Sequence, residues 1–366
     1  MRTAVVHDWL NGMRGGEKVL EAILEVVPDP TIFTLFHIPG TVSPEIERFP
    51  IRVSPLNRLP FARRHYRHYL PLFPRAVEAF DLSEFDLVVS SSHCVAKGAI
   101  APAGAPHLCY CHTPVRYAWD HFEAYFPPES TRFRRTKRAL IDRLRRWDRE
   151  TAGRPTRYLA NSTAVADRIR RHYGREAEVC HPPVDVDFFH GTGGTREDFL
   201  LAVGALVPYK RFEQAIEAAA LVGRPLVLVG KGPEQARLAG LAHPIAAAGS
   251  SVQILMDRTP EELRDLYRRC ALFVQPGEED FGIAAVEAAA CGAPVVALGR
   301  GGATDVVSDG ETGILYPEES AGALGAAIRR ALGSSFDYTR LRQRALVFAR
   351  QRFVEDFRRH VEDLVQ

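Results

Sequence analysis

The sequence lacks the features that mark several large classes of protein. None of its apolar runs approaches the roughly 18 residues that a membrane-spanning helix requires. The N-terminal stretch Met-Arg-Thr-Ala-Val-Val-His-Asp has no signal-peptide pattern, and no short repeat or low-complexity tract follows it. A chain of 366 residues with 46% apolar content suffices for about two globular domains. We therefore expect a cytoplasmic protein with two hydrophobic cores.

Cysteine is scarce and scattered. The six cysteines show no disulfide-like spacing, which is typical of a reducing compartment. The one tight Cys/His group is His107-Leu-Cys-Tyr-Cys-His112, and strand alternation would place 107, 109 and 111 on one face. A structural zinc site needs four converging ligands, usually from two separate loops. Because no second Cys/His pair stands out, we predict that the protein binds no metal.

Net charge is also nearly absent, at +2, but it is unevenly spread. Residues 132–149 carry nine Arg or Lys against two Asp. The apolar residues of this segment fall close to a helical stripe: Phe133, Leu140, Ile141, Leu144 and Trp147. A basic amphipathic helix of this kind either packs on its own domain with a solvated basic face, or attracts an anionic membrane surface or a lipid-diphosphate acceptor. No recognised nucleic-acid motif accompanies the charge, so we predict no nucleic-acid partner.

Predicted strands and helices alternate along the chain. In the first half we expect strands at 2–9, 31–37, 86–92, 107–112, 157–161 and 178–182, and helices at 16–26, 55–70, 130–151 and 163–173. The glycine-rich stretch from His190 to Glu197 is typical of a linker. Beyond it we expect strands at 199–206, 225–230, 251–256, 272–276, 294–298 and 313–316, and helices at 211–222, 233–247, 260–269, 283–290, 319–333 and 338–366. Two such series predict two doubly wound parallel sheets, with ligands at the carboxyl ends of the strands.

The most informative segment runs from Pro276 to Pro294. Glu279 and Glu287 stand eight positions apart around a Phe281-Gly282 turn, after a buried strand and at the start of a helix that opens with Ile283. The spacing alone fits a capped helix with one solvated glutamate. A strand, a glycine turn and a helix N-terminus, however, form a binding place for an anion. We therefore favour a site in which the two carboxylates hold separate hydroxylated parts of one nucleotide-sugar.

Cations follow another predicted strand of the same half. Lys210 and Arg211 come after the predicted strand at 199–206, where a nucleotide diphosphate would need positive charge. Gly230-Lys-Gly232 forms a second glycine turn, and position 235 is Gln, so the dinucleotide fingerprint G-x-G-x-x-G is not met. Arg258 follows Asp257 at the end of the next strand.

In the first half, two segments end predicted strands. His7-Asp-Trp9 is followed by the glycine pair Gly15 and Gly16, which opens a helix and lets backbone N–H groups approach a phosphate or a sugar. His112 follows the strand at 107–112. An isolated histidine at a strand end is more often structural, but with these neighbours we favour a role in the site.

These segments resemble the retaining glycosyltransferases of family 4, which have the GT-B fold. The opening His7-Asp-Trp-Leu10 with Gly15-Gly-Glu-Lys18 is similar to the mannosyltransferase-like subgroup. The resemblance implies two Rossmann-like doubly wound domains that face a cleft. Residues 1–190 would bind the acceptor, with the C-terminal helix at about 350–366 crossing back to them, and residues 191–349 would bind the nucleotide-sugar.

The resemblance also implies roles for single residues. Glu287 would accept hydrogen bonds from the ribose, while Glu279 and the backbone of Phe281, Gly282 and Ile283 would hold the hexose. Lys210 and Arg211 would neutralise the diphosphate, His112 would contact the transferred sugar, and Gly15, Gly16 and Arg258 would border the donor. The family often has Gly-Arg where this chain has Gly204-Ala205, and usually glycine where it has Asp257.

The implied function is a metal-independent hexose transfer with retention of configuration and no cofactor. GDP-mannose is the first expectation for the donor, and UDP-glucose or a related sugar the second. The acceptor would be a saccharide or a lipid-linked saccharide in polysaccharide or lipopolysaccharide assembly. The enzyme would be cytoplasmic or peripheral at the inner face of the membrane. Two alternatives stay open: a GT-B nucleotide-sugar epimerase and a non-catalytic nucleotide-sugar binding protein.

Overall fold

The computed structural model describes residues 1–120, 122, 134–191, 193–247 and 251–366. They form two compact units, Met1–Pro183 with Gln351–Gln366, and Val184–Arg350. Each unit is built on one parallel sheet. Among the helices so described, none is both long and apolar enough to cross a bilayer.

The first unit contains a seven-stranded sheet of order β3-β2-β1-β4-β5-β6-β7, in which every strand pair is parallel. Its strands are β1 Thr3–His7, β2 Pro30–Thr34, β3 Ile51–Val53, β4 Leu87–Ser92, β5 His107–Cys111, β6 Arg157–Ala160 and β7 Glu178–Val179. Its helices are Gly15–Val26, Pro44–Glu47, Ala62–His65, Phe73–Glu78, Arg116–Trp119, Arg134–Glu150 and Thr163–Tyr173, with Arg350–Val365 from the end of the chain.

The second unit contains a six-stranded parallel sheet of order β10-β9-β8-β11-β12-β13. Its strands are β8 Leu200–Val203, β9 Leu226–Val229, β10 Val252–Leu255, β11 Leu272–Gln275, β12 Val295–Leu298 and β13 Gly313–Tyr316. Its helices are Phe212–Val222, Gln235–Ala247, Pro260–Arg269, Ile283–Ala290, Ala303–Val306, Ala321–Leu332 and Tyr338–Leu346. The predicted fold class, two doubly wound parallel sheets, is confirmed.

Both sheets are buried on their two faces. Successive residues of a strand point to opposite faces and pack in different hydrophobic clusters. In β8, Leu200 packs in one hydrophobic cluster and Leu201 in another. In β1, Val5 and Val6 are divided in the same way. Continuous apolar runs are what strands covered on both faces require. In each sheet the strand order reverses beside the first strand, at β1/β4 and at β8/β11, and such switch points are where open α/β sheets bind ligands.

The last helix packs on the first unit. Phe353 and Phe357 are buried there against Tyr110, with ring centroids 5.6 and 6.5 Å away, in a cluster that includes Val5 and Leu108. The end of the chain therefore crosses back to the N-terminal sheet, as predicted. The division between the units falls after Pro183 and again after Arg350.

Two predicted helices are wrong. The segment 338–366 forms two helices, Tyr338–Leu346 and Arg350–Val365, and not one. Residues 55–70 do not form a single helix but a 3₁₀ turn at Pro55–Arg58, the short helix Ala62–His65 and the start of a 3₁₀ segment at Tyr66–Leu72. Pro60 and Pro71 cannot donate to a helix, and Phe61 adopts a left-handed φ of 58° that ends any continuous winding. Sequence reasoning also missed the short edge strand β3.

The predicted basic helix is present over Arg134–Glu150, while 132 and 133 lie outside the described residues. Ile141 and Leu144 are buried, whereas side chains 135–140 are all exposed. The C-terminal part is held by a buried ion pair between Lys97 Nζ and Asp148 Oδ1 at 3.1 Å. Trp119 and Tyr173 donate to the other Asp148 oxygen at 2.7 and 2.9 Å. This half of the helix therefore packs on its own unit.

The buried His107 predicts a pH dependence of stability. Its ring bonds to Ser90 Oγ at 2.8 Å, and burial, aided by Lys97 and Arg154, lowers its pKa to about 3. The unfolded chain binds a proton near pH 6.5 that the folded chain does not, so stability falls as the pH drops below that value. Between pH 6.5 and 5.5 we expect His107 to account for about 1 kcal/mol of lost unfolding free energy. Urea unfolding of wild type and His107→Gln at both pH values measures it, and equal losses in the two proteins would contradict it.

Candidate active site

One candidate site lies at the β8/β11 switch point of the second unit. The strand order places β8 beside β11, so the loops that begin at Gly204 and at Pro276 leave the same edge of the sheet. These loops carry Lys210 and Glu279. Residues 69 positions apart in the chain are thereby brought to one place by the order of the strands.

Lys210 and Glu279 form a close ion pair. Lys210 Nζ lies 2.6 Å from Glu279 Oε1, and both side chains are about one-sixth exposed, at 16% and 15%. The lysine lies directly over Gly204, where a Cβ atom would come 2.5 Å from Nζ. Glycine at 204 is therefore required for the lysine to take this position. The pair joins the lysine predicted to neutralise the diphosphate and the glutamate predicted to hold the hexose.

A loop that sequence reasoning missed supports the Glu279 turn. Gly302 N donates a hydrogen bond to Glu279 O at 2.9 Å. The Gly302 α-carbon faces the backbone of Asp280 and Phe281 so closely that an added Cβ would overlap the Phe281 Cα atom. The backbone at 302 is right-handed, so glycine is needed here for space and not for its conformation.

Gly302→Ala is expected to displace the Glu279 turn and lower activity by roughly tenfold or more, since small displacements of binding groups are costly in catalysis. Gly322→Ala is the matched control, because a Cβ there meets nothing within 4 Å. Steady-state kinetics of the two variants measures the difference. Equal activity in both would show that the turn does not depend on this contact.

Phe281, Gly282 and Ile283 form the start of the next helix. Phe281 is buried and packs edge-on against Phe348, with ring centroids 5.3 Å apart. Gly282 is the N-cap, with a left-handed φ of 97°, and Ile283–Ala290 follows as helix. The first backbone N–H groups of a helix have no partner within it and favour an anion.

Glu287 lies in the interior of that helix and is only 5% exposed. Its Oε2 accepts a hydrogen bond from Tyr267 OH at 3.1 Å. Burial, and then the Glu287 carboxylate, raise the pKa of the Tyr267 hydroxyl, so the tyrosine donates as a neutral phenol. Glu287 is thus tied to the Pro260–Arg269 helix, and its role toward a ribose stays a prediction.

The two predicted arginines contact other carboxylates. Arg211 has a left-handed φ of 53°, and its Nε lies 2.6 Å from Glu319 Oε1. Arg258 Nη1 lies 2.9 Å from Glu262 Oε1, and Glu262 stands in the first turn of the capped helix Pro260–Arg269. Lys210 and Arg211 therefore engage different acids although they are adjacent. Asp257 pairs with Lys231 and adopts a left-handed φ of 47°, a conformation that explains why glycine suits this position.

A separate group of predicted site residues lies at the β1/β4 switch point of the first unit. His7 ends β1, His93 follows β4 and His112 follows β5, so the order of these adjacent strands groups three imidazole rings. The His93 ring centroid is 5.9 Å from that of His7 and 6.1 Å from that of His112. Gly15 and Gly16 open the adjacent helix, and a Cβ on Gly16 would lie about 4 Å from both His7 and His112.

The structure thus brings Gly16 to His112 and adds residues that sequence reasoning missed: His93, Ser91 and Glu17. For Ser91 and His93, the position at the end of β4 was the available signal, whereas Glu17 lies in the helix Gly15–Val26. Burial, and then His93 and His7, lower the pKa of His112 well below its usual range. A neutral ring at neutral pH can accept a hydrogen bond as well as donate one. Asp8, by contrast, accepts the backbone N–H groups of residues 93–96 and anchors the loop.

Two further observations bear on ligands. Within the described ranges, no group of three or more His, Cys, Asp or Glu side chains is placed to hold a metal ion. A cavity of about 440 Å³ lies at the opposite, amino edge of the second sheet, where its lining includes Arg196, Arg268 and Tyr338. Arg196 is bonded there to the carbonyls of Tyr267, Cys270 and Cys291.

Comparison with known proteins identifies the domains. Residues 29–188 match the family model Glycosyltransferase Family 4, and residues 187–347 match Glycosyl transferases group 1. These matches assign the chain one domain of glycosyltransferase family 4 and one of glycosyltransferase group 1. The retaining mechanism and the mannosyltransferase-like subgroup stay predictions.

Sequence relatives are similar over part of their length. D-inositol 3-phosphate glycosyltransferase of Streptomyces bingchenggensis is 33% identical over 46% of this chain and 44% of its own length. The protein of the same name from Gordonia bronchialis is 31% identical over 53% of this chain and 48% of its own. The chain therefore spans about half the length of the curated relatives it matches.

Solved structures share the whole fold at low identity. HepE of Anabaena in complex with UDP has a TM-score of 0.70 and 20% identity, over 99% of both chains. The apo form of the lipopolysaccharide outer core galactosyltransferase WaaB has a TM-score of 0.70 and 14% identity, also over 99% of both chains. At these identities the likeness establishes the fold, and it confirms the predicted GT-B class.

Proposed function

Because the chain is built from a Glycosyltransferase Family 4 domain and a Glycosyl transferases group 1 domain, we propose that it transfers a hexose from a nucleotide diphosphate sugar to a saccharide acceptor. The observation that carries this proposal is the 2.6 Å ion pair of Lys210 and Glu279 at the β8/β11 switch point. A cation and a carboxylate at one strand edge match the two chemistries of the donor, a diphosphate and a ring of hydroxyl groups.

The pair is proposed to open when the donor binds. The Lys210 ammonium exchanges the Glu279 carboxylate for a diphosphate oxygen, and Glu279 turns to hydroxyl groups of the hexose. Each charge-assisted hydrogen bond contributes about 1.5–3 kcal/mol. The helix start at Gly282–Ile283 adds backbone N–H groups on the same loop. The Lys210 hydrogen bond and the helix N–H groups both interact more strongly as negative charge develops on the leaving diphosphate. Interactions that are stronger in the transition state than in the ground state are those that accelerate transfer.

The donor is proposed to be GDP-mannose, with UDP-glucose as the rival. The first follows from the likeness of residues 7–18 to the mannosyltransferase-like subgroup. A thermal-shift screen distinguishes them, because a donor at 100 times its Kd stabilises the folded state by about 2.7 kcal/mol. We expect GDP-mannose to raise the melting temperature more than UDP-glucose at equal concentration. A larger increase with UDP-glucose would contradict GDP-mannose as the donor and favour UDP-glucose.

Transfer itself is tested by incubating the donor with and without saccharide and lipid-linked acceptors. Release of nucleotide that depends on an acceptor, with the anomeric configuration retained in the product, supports the proposal. A change of the donor without any acceptor would favour the epimerase alternative. Donor binding without turnover on any acceptor would favour a binding protein.

A lipid-linked acceptor is proposed because the basic helix keeps an exposed segment. Side chains 135–140 are all exposed. They include the cations Arg135, Lys137 and Arg138 and the apolar Leu140, which is 42% exposed. Exposed cations near an anionic leaflet contribute about 1 kcal/mol each. Flotation with liposomes that contain phosphatidylglycerol should therefore carry the protein, and liposomes of phosphatidylcholine alone should not. Equal flotation with both would contradict this part of the proposal.

A further inference from the structure

A chain of polar side chains leads from the helix Gly15–Val26 to His112. Glu17 Oε1 lies 3.9 Å from His7 Nε2, His7 Nδ1 lies 3.1 Å from Ser91 Oγ, and Ser91 Oγ lies 2.8 Å from His112 Nε2. Glu17, His7 and Ser91 are all buried, with at most 3% of each residue exposed. Solvent therefore does not compete for these contacts.

Ser91 can satisfy both rings in only one of two ways. Its hydroxyl has a single hydrogen, so it donates to one histidine nitrogen and must accept from the other. If it donates to His112 Nε2, then His7 carries its hydrogen on Nδ1. If it donates to His7 Nδ1, then His112 carries its hydrogen on Nε2. The two arrangements give His112 opposite tautomers.

Glu17 selects between them. His7 Nε2 is buried without a hydrogen-bond partner, and the Glu17 carboxylate faces it. Burial acts to raise the pKa of Glu17, but the contact with His7 and the nearby His93 outweigh it, so the pKa lies below its ordinary value and the group is ionised at neutral pH. An N–H dipole toward a carboxylate is attractive, whereas a nitrogen lone pair is repelled. A neutral His7 ring therefore carries its hydrogen on Nε2 and accepts from Ser91 on Nδ1. A protonated ring donates from both nitrogens and reverses the arrangement, so the tautomer is measured at pH 8, above the ordinary histidine pKa of about 6.5.

We infer that Glu17, His7 and Ser91 are positioning residues that hold His112 as its Nε2–H tautomer, with Nδ1 as the acceptor for a sugar hydroxyl. In the described part of the chain, Ser91 is the one hydrogen-bond partner of the His112 ring. His112 thus binds a hydroxyl hydrogen of the substrate and does not donate to a substrate oxygen. This assignment rests on the proposed function, since it gives the His112 ring a substrate partner.

The chain offers a matched control one residue away. Ser90 Oγ lies 2.8 Å from His107 Nε2, and Ser90 is as buried as Ser91. Because successive strand residues point to opposite faces, Ser90→Ala removes an equivalent serine–histidine bond on the other side of β4. Ser91→Ala removes the hydroxyl group that links His7 to His112. Glu17→Gln removes the carboxylate charge but keeps an acceptor oxygen for the Arg14 backbone N–H.

Nitrogen-15 NMR of histidine-labelled protein without substrate reads the tautomer. The His112 signals are those that disappear in His112→Gln. We expect Nδ1 unprotonated and Nε2 protonated in wild type and in Ser90→Ala, and shifts that move toward each other in Ser91→Ala and Glu17→Gln as two tautomers interchange. Protonation of Nδ1 in wild type, or wild-type shifts in Ser91→Ala, would show that Glu17, His7 and Ser91 do not set the tautomer of His112.

Kinetics then tests the consequence separately. With the donor and acceptor identified, Ser91→Ala and Glu17→Gln should lower kcat about tenfold, the loss expected for one well-placed hydrogen bond, while Ser90→Ala stays near wild type. Altered tautomers with unchanged kcat would overturn the acceptor role of His112. Absence of transfer in wild type would refute the proposed function alone, because the NMR measurement requires no substrate.

Discussion

Lys210→Ala is expected to lower kcat by about 10²- to 10³-fold, the effect of removing one preorganised group that stabilises developing charge. The Lys210 ammonium is held at the β8/β11 strand edge, 2.6 Å from Glu279. Its interaction with the diphosphate strengthens as the bond to the hexose breaks, so its loss falls mainly on the transition state. Measurement of kcat and KM for the donor should therefore show a larger change in kcat than in KM.

Arg224→Ala is the control for this prediction. Arg224 pairs with Asp198 at the opposite, amino edge of the same sheet, so its removal also deletes a cation and an ion pair of the second unit. We expect its kcat to stay within about twofold of wild type, as for a surface pair remote from the chemistry. A Lys210→Ala variant that is equally active would show that the diphosphate is held elsewhere.

Asp148→Ala is expected to cost about 3–5 kcal/mol of unfolding free energy, because it leaves the buried Lys97 ammonium without its counterion. Lys97 and Asp148 are at most 1% exposed. The substitution also removes the acceptor of Trp119 and Tyr173, which donate at 2.7 and 2.9 Å. Urea denaturation followed by tryptophan fluorescence measures the change.

Two variants separate the buried charge from the loss of contacts. The double variant Lys97→Met with Asp148→Leu removes both charges, and we expect it to be more stable than Asp148→Ala, since replacing a whole buried pair by apolar groups is often neutral. Arg170→Ala breaks exposed pairs with Asp167 and Glu176 and should unfold at the wild-type midpoint. If the double variant were the least stable of the three, the uncompensated charge would not be the cause.

Local signals predict much of the fold. The helices at 163–173 and 260–269 have the bounds that were expected, because Ser162 and Thr259 are N-caps whose side chains accept from the backbone, and Pro260 and Gly174 stand at the positions that helix ends favour. Strand runs such as 272–274 are apolar without interruption and lie inside a parallel sheet covered on both faces.

Contacts between distant segments could not be predicted in this way. The sequence indicates Lys210 and Glu279 as separate binding groups, but their ion pair depends on the order of β8 and β11 in the sheet. The support of Glu279 by Gly302 and the grouping of His7, Ser91 and His112 have the same origin. The prediction of one helix at 55–70 failed for a local reason, since Pro60 and the left-handed Phe61 interrupt the helical pattern.

The most direct test of the proposed site is a crystal structure with a bound nucleotide diphosphate sugar. The proposal predicts Lys210 Nζ within about 3 Å of a diphosphate oxygen, a charge-assisted distance, and Glu279 turned from the lysine to the hexose. A donor bound at the amino edge of the sheet beside Arg196 and Arg268, with the Lys210–Glu279 pair intact, would contradict it.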